Sequence, residues 1–221
     1  LALGRGGRGE ACDDAERILR AHLRPSRLRD TSWIADPPNP EGIDGLRDVS
    51  DRILGAWGFP APYGHAPLGL EPIMFHMDVV GGVVSALCKA HENIIRRDGA
   101  IRRVDLLFTH EAHGVQVRSP YETDGTMLLT ATEPGPVAIR VPSWVPLGDA
   151  RVEGADAVVE DGYLRIQDPP VGRRLQVSLP IAERRLTLRH RTHDIRVRMR
   201  GDSVTAMESF GADLTFFDPW E

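Results

Sequence analysis

Residues 137–144 read VAIRVPSW, with apolar side chains at every second position, Val137, Ile139 and Val141. This spacing is typical of a β-strand that buries one face. The same pattern recurs at Val115 and Val117, at Leu175, Val177 and Leu179, and at Ile195, Val197 and Met199. Turn sequences separate these stretches, at Asp124-Gly125, Pro134-Gly135-Pro136, Asp161-Gly162 and Gly201-Asp202. Many short strands joined by turns predict an antiparallel β-sandwich.

Before Gly99 the apolar residues follow a helical period instead. The pattern predicts helices over 11–23, 44–57 and 79–97, and Pro-rich loops over 31–42 and 58–78. In the first helix the buried face is expected to hold Ala15, Ile18, Leu19 and His22. The sequence therefore predicts an α+β protein with a helical region over 1–99 and a β-sandwich domain over 100–221.

Composition narrows the function classes. The chain has 221 residues, of which 41% are hydrophobic and 27% charged, so a globular protein is expected. A net charge of −5 argues against a nucleic-acid partner. The sequence has no run of 18 apolar residues, which is the length that a membrane-spanning helix needs. We therefore expect no membrane partner.

The beginning of the chain predicts a missing upstream part. Leu1 is not an initiator Met, and residues 1–9 lack the apolar segment of a signal peptide. We expect a C-terminal piece of a larger protein, with the N-terminal part of the same chain as its partner. Apolar faces left uncovered would favour a homodimer or aggregation.

Three segments in order resemble glycoside hydrolase family 127, the β-L-arabinofuranosidase-like family. They are VAIRVPSW at 137–144, GYLRI at 162–166 and VGRRLQVSLP at 171–180. The family has an apolar strand ending in Arg-x-Pro-x-Trp, then a Gly-Tyr strand, then a strand ending in Leu-Pro. DDAERILRAHL at 13–23 and GGVVSALCKAHENIIRRDG at 81–99 resemble its late barrel helices. The resemblance implies the C-terminal helices of an (α/α) barrel followed by the sandwich, and a carbohydrate substrate.

The sequence departs from the family at its cysteines. Members carry a cysteine pair just before the last barrel helix, and one of them is the proposed thiolate nucleophile, held by zinc. Here residues 76–82 read HMDVVGG, without cysteine. Cys88 is expected to be a small buried core residue, and Glu10-Ala11-Cys12 is interpreted as a chance match to the zinc motif. We therefore expect no cysteine-thiolate chemistry, no metal and no cofactor.

Catalytic candidates cluster around the start of the third helix. Asp78 is expected either to cap the helix or to serve as a catalytic carboxylate in the slot where the family keeps its nucleophile. His76 would donate to a leaving oxygen, bind a sugar hydroxyl or bond to the backbone. Glu71 is either the second carboxylate that glycoside hydrolysis needs or an exposed loop residue.

Substrate-binding candidates are His65, Tyr63 and Trp33, and the alternative for His65 is an exposed loop residue. The two aromatic rings would stack on a sugar, or else pack into the core. His110 and His113 have a spacing that suits a metal, but no third ligand lies nearby, so they are not predicted to bind one. The seven arginines of residues 184–200 are interpreted as the solvated face of two strands.

The leading hypothesis is a glycoside hydrolase-like protein that acts on glycans, arabinose-containing ones among them. It requires a second carboxylate facing Asp78. The alternative is a non-catalytic structural or carbohydrate-binding module, which requires exposed aromatic residues on the sandwich. A third hypothesis is an arginine-rich domain that binds anionic polymers, and it requires salt-dependent binding.

Overall fold

The computed structural model describes residues 9–24, 27–32, 34–57, 77–208, 210 and 218–220. By its internal contacts the chain divides into two compact units. Unit 1 holds Leu1–Arg17 with Cys88–Glu221, and unit 2 holds Ile18–Leu87. The sheets, and the charged cluster described below, lie in unit 1.

The described ranges hold four α-helices, of which Met77–His91 is the longest, with 15 residues. They are α1 Glu10–Ile18, α2 Val49–Arg52, α3 Met77–His91 and α4 Tyr121–Asp124. A π-helical turn, Leu19–Leu23, continues α1, and single 3-10 turns cover Asp44–Leu46 and Leu147–Asp149. The first helical stretch thus spans Glu10 to Leu23, close to the predicted 11–23.

Fourteen strands make up three sheets in the described part of the chain. They are β1 Ile95–Asp98, β2 Ile101–Val104, β3 His110–Ala112, β4 Val115–Arg118, β5 Thr126–Ala131, β6 Val137–Arg140, β7 Arg151–Glu153, β8 Val158–Glu160, β9 Tyr163–Ile166, β10 Arg174–Ser178, β11 Glu183–His190, β12 His193–Arg200, β13 Ser203–Met207 and β14 Asp218–Pro219. Sheet A has the order β1-β2-β6-β9-β8, sheet B β3-β4-β5-β10-β7 and sheet C β11-β12-β13-β14.

Sheet B buries one face, whereas sheet A is buried on both sides at β6. In sheet A the inner positions are Val104, Val137, Ile139, Leu164 and Ile166, and in sheet B they are Val115, Val117, Met127, Leu129, Ala131, Leu175 and Val177. Arg102 joins the two sheets at one end. Its guanidinium Nη1 donates to the carbonyl oxygens of Gly114, at 3.1 Å, and Glu133, at 2.8 Å, in turns of sheet B. This arrangement agrees with the predicted sandwich within an α+β fold; the (α/α) barrel stays a prediction.

The prediction that all strands pair in antiparallel fashion is wrong for two pairs. Strand β2 pairs with β6 in parallel, with Val104 opposite Ile139, and β13 pairs with β14 in parallel. The alternation of apolar and polar residues shows which face of a strand is buried, but it does not show the direction of the neighbouring strand. The sequence pattern therefore could not distinguish parallel from antiparallel pairing here.

The predicted helix over 79–97 is wrong at its C-terminal end. Helix α3 ends at His91, and residues 95–98 form β1, which pairs with β2. Ile95 opposes Val104, and Gly99, with φ +60°, makes the hairpin turn instead of capping a helix. The apolar residues Ile94 and Ile95 fit either period, and pairing with β2 decides between them.

A continuous helix over 44–57 is also not found. The segment holds one 3-10 turn and the single-turn helix α2. Asp48 lies between them with φ +47°, a left-handed conformation that a helix cannot contain. Gly45 precedes this break and weakens helix propagation further.

Candidate functional site

Arg140, the last residue of β6, lies in a buried ion-pair cluster with helix α1. Its Nη1 donates to Asp13 and its Nη2 to Glu16. Asp13 also accepts from the backbone N–H of Ser143 at 3.1 Å, and Glu16 from that of Leu107 at 3.3 Å. Asp13 and Glu16 are three residues apart, so they lie on the same face of the helix.

A third carboxylate, that of Asp105, extends the cluster along the outer face of sheet A. The backbone oxygen of Asp105 accepts from Arg140 Nε at 2.5 Å. The Asp105 carboxylate accepts from Tyr163 Oη at 2.7 Å and from Arg96 Nε. Arg103 stacks on Tyr163, with 4.0 Å from Cζ to the ring centroid. The cluster of Asp13, Glu16, Arg96, Arg103, Asp105, Arg140 and Tyr163 thus pairs three carboxylates with three guanidinium groups.

Burial and charge act in opposite directions on Arg140. Burial by itself would lower the pKa of Arg140, but the carboxylates of Glu16 and Asp13 raise it above its ordinary value. The guanidinium therefore stays charged. Since the carboxylate oxygens bind Arg140 and backbone N–H groups, this arrangement holds elements together and does not present a free acid or base to a substrate.

Trp144, four residues after Arg140, makes a second set of contacts. Its Nε1 donates to Tyr121 Oη at 2.7 Å, and both rings are buried. The Arg17 guanidinium of α1 lies 6.0 Å from the Trp144 ring centroid. Gly201, in the turn between β12 and β13, lies against the same ring: a Cβ there would be 3.3 Å from Trp144 Nε1. The motif therefore contacts helix α1, helix α4 and the turn between β12 and β13 of sheet C.

The predicted site residues fall mostly outside the described residues. This applies to His76, Glu71, His65, Tyr63 and Trp33, whose roles stay predictions. Helix α3 begins at Met77, so the backbone of Asp78 lies in its first turn. The Asp78 side chain is not described, and both interpretations of it stay open.

The two cysteines differ from expectation. Cys88 is exposed, so its prediction as a core residue is wrong. Cys12 is buried instead, next to the ion-pair cluster, and burial raises the pKa of its thiol. A raised pKa lowers the fraction of thiolate, the nucleophilic form.

Three histidines approach one another at the end of α3. The rings of His91 and His110 meet edge to face, with 4.5 Å between centroids. Burial, then the neighbouring His91 and His113, lower the pKa of His110. Within the described ranges, no group of three or more His, Cys, Asp or Glu side chains has a geometry that could hold a metal ion.

Sequence reasoning missed the ion-pair cluster. Asp13 and Glu16 are buried although they are acidic, and the predicted apolar face of the first helix is wrong at Ile18, which is 55% exposed. A local signal existed in Arg140, an arginine at the end of an apolar strand. Its partners, however, lie 127 and 124 residues away along the chain.

Three glycoside hydrolases are among the solved structures that are similar to this chain. One is a family 127 β-arabinofuranosidase, with a TM-score of 0.42 and 17% identity over 50% of this chain and 23% of that one. A family 127 β-L-arabinofuranosidase from Geobacillus stearothermophilus T6 has a TM-score of 0.42 and 20% identity, over 57% and 23%. A further glycoside hydrolase has a TM-score of 0.46 and 12% identity, over 63% and 27%.

This chain spans about a quarter of the length of those proteins. No model of a known protein family matches it, and neither does any curated protein. In the part of the chain that the structure describes, no helix has the length and apolar character needed to cross a membrane.

Proposed function

We propose that this chain is the helix-and-sandwich part of a glycoside hydrolase-like protein that acts on glycans, arabinose-containing ones among them. The observation that carries the proposal is the position of Arg140. The ordered motifs at 137–144, 162–166 and 171–180 are the basis of the family resemblance, and Arg140 of the first motif binds Asp13 and Glu16 of α1. The motif thus has a physical role, which is to attach the helix that resembles a late barrel helix to the sandwich.

The chemistry we propose uses carboxylates and no cysteine thiolate. Cys12 is buried with a raised thiol pKa, which opposes formation of the nucleophile. Glycoside hydrolysis by carboxylates needs two of them, one on each side of the scissile bond. Asp78 is the proposed first carboxylate, because the N-terminal turn of a helix favours the anion, and Glu71 is the proposed second.

Sugar release by this protein tests the proposal. The substrates are arabinose-containing oligosaccharides and a panel of other pentose and hexose oligosaccharides, with wild type beside Asp78→Asn and Asp78→Ala. Asp51→Asn, an exposed carboxylate in α2, is the matched control. We expect release to fall about a thousandfold in the Asp78 variants and to stay unchanged in the control. Release from no substrate, or equal release by all variants, would contradict the enzymatic role of Asp78.

The non-catalytic alternative receives less support from sheets A and B. A glycan-binding face needs exposed aromatic rings, yet Tyr121, Trp144 and Tyr163 are all buried. Each of these rings is held by the hydrogen bonds described above. Glycan binding by this part of the chain, if present, therefore has to involve another surface.

A further inference from the structure

Sheet C carries an arginine-rich face on its long hairpin. In the register of β11 and β12, Arg185 is opposite Arg198, Thr187 opposite Arg196, and Arg189 opposite Asp194. Directly opposed residues point to the same side of an antiparallel pair. We call Arg185, Arg189, Arg196 and Arg198 the arginine face. Three of the four are exposed and Arg198 is half-buried.

An aromatic ring from the far end of the chain lies on this face. Strand β14 pairs with β13 and places Trp220, the next residue, against the hairpin. The Cζ atoms of Arg185 and Arg196 are 5.5 and 5.2 Å from the Trp220 ring centroid. The Trp220 side chain is half-buried, and its ring is a flat apolar surface that holds the two guanidinium groups in place.

Charge on the arginine face is only partly compensated within the chain. Arg196 pairs with Glu208, with N–O distances of 2.8 and 2.5 Å. No carboxylate of the described residues lies within ion-pair distance of Arg185, Arg189 or Arg198. Glu183 and Asp194 share this side of the hairpin, so negative groups stand at intervals among the arginines.

We propose that the arginine face with Trp220 binds a carboxylated glycan, in which uronic acid residues alternate with uncharged sugars. The planar guanidinium group fits a carboxylate with two parallel hydrogen bonds. The Trp220 ring offers an apolar surface to a neighbouring uncharged sugar.

A nucleic acid fits this face less well. It carries a phosphate at every residue, which would bring negative charge against Glu183 and Asp194. Proteins that bind single strands also stack successive bases on several aromatic rings, whereas Trp220 is the one ring that lies against these arginines in the described part of the chain. An intermittently charged glycan avoids both problems.

The inference takes a glycan as its ligand class from the proposed function. Its test measures binding without hydrolysis, so the two can fail separately. The probe is a galacturonan with about half of its carboxyl groups methyl-esterified, and the reference is the same polymer fully esterified. Binding of the whole chain is followed by affinity electrophoresis or calorimetry.

The variant to compare is Arg185→Gln with Arg189→Gln and Arg198→Gln. Its matched control removes three exposed arginines from sheet B, Arg118→Gln, Arg151→Gln and Arg174→Gln, and changes net charge equally. We expect the first triple to weaken binding about tenfold or more, the control to bind like wild type, and Trp220→Ala to weaken binding several-fold.

Three results would overturn the proposal. They are equal weakening by the two triple variants, equal binding of the fully esterified polymer, and equal or tighter binding of a single-stranded oligonucleotide. If the triple variant of the arginine face does not fold, the same comparison is made with the single variant Arg189→Gln and its control Arg174→Gln. Arg189 lies next to the hairpin turn and is exposed, so its replacement leaves the sheet intact.

Discussion

Arg140 and Glu16 form a buried ion pair between the end of strand β6 and helix α1, 124 residues apart in the chain. Neither residue exposes more than 1% of its surface. A buried charge is stable only when it is paired and hydrogen-bonded. The sandwich therefore depends on α1 for the partners of Arg140, and α1 depends on the sandwich for the partner of its carboxylates.

Replacing Gly125 with alanine should lower the free energy of unfolding. Its φ is +75°, and an added Cβ would lie 2.6 Å from the backbone oxygen of Leu179. Gly162 has φ +74° with no atom within 4 Å of that position, so it is a control for the backbone conformation alone. Gly162→Ala should cost about 1 kcal/mol of unfolding free energy, and Gly125→Ala about 1–3 kcal/mol more. Equal losses in urea denaturation would contradict the close approach.

Stability should fall at alkaline pH because of Tyr163. Burial, then the charge of Asp105, raises the pKa of Tyr163 to about 12. The unfolded phenol ionises near pH 10, so the folded state binds the proton more tightly. This contribution is complete below about pH 10 and is lost as pH rises towards about 12.

Tyr163→Phe tests this pH dependence. Removing the phenolic hydroxyl should flatten the decline in unfolding free energy above about pH 10, by up to about 3 kcal/mol. The pH profile of Tyr121→Phe should be measured beside that of Tyr163→Phe, because burial also raises the pKa of Tyr121. An unchanged pH profile in Tyr163→Phe would show that this phenol titrates normally.

The two thiols should react at very different rates. Cys88 is exposed, whereas Cys12 is buried with a raised thiol pKa. We expect an aromatic disulfide reagent to modify one thiol quickly in the native protein and the second only after unfolding. Cys88→Ser should abolish the fast reaction. A fast reaction that survives in Cys88→Ser would mean that Cys12 is accessible.

Local patterns predicted the strands but not their partners. Strands β4, β6, β10 and β12 follow from alternation, since one buried face is visible in a few consecutive residues. Strand β1 was missed because Ile95 continues a helical spacing until β2 pairs with it. The parallel pairing of β2 with β6 depends on residues more than 30 positions apart.

The site was harder to predict for the same reason. Arg140 is one charged residue in an apolar strand, and its carboxylate partners lie 127 and 124 residues away in the chain. Trp220 meets Arg185 only through the pairing of β14 with β13. Charge alone had suggested a solvated arginine face without an aromatic ring.

The Arg-x-Pro-x-Trp motif attaches α1 to the sandwich through Arg140. A double-mutant cycle of Arg140→Met and Glu16→Gln, followed by urea denaturation, tests it directly. Arg140→Met alone should cost about 3–5 kcal/mol, since it leaves two carboxylates buried without their cation. Lys89→Met with Glu92→Gln, an exposed ion pair at the end of α3 that makes no contact with the motif, is the control cycle and should show coupling below about 1 kcal/mol. We predict a coupling energy of about 1–3 kcal/mol between Arg140 and Glu16. Losses that simply add, to within about 0.5 kcal/mol, would contradict the attachment.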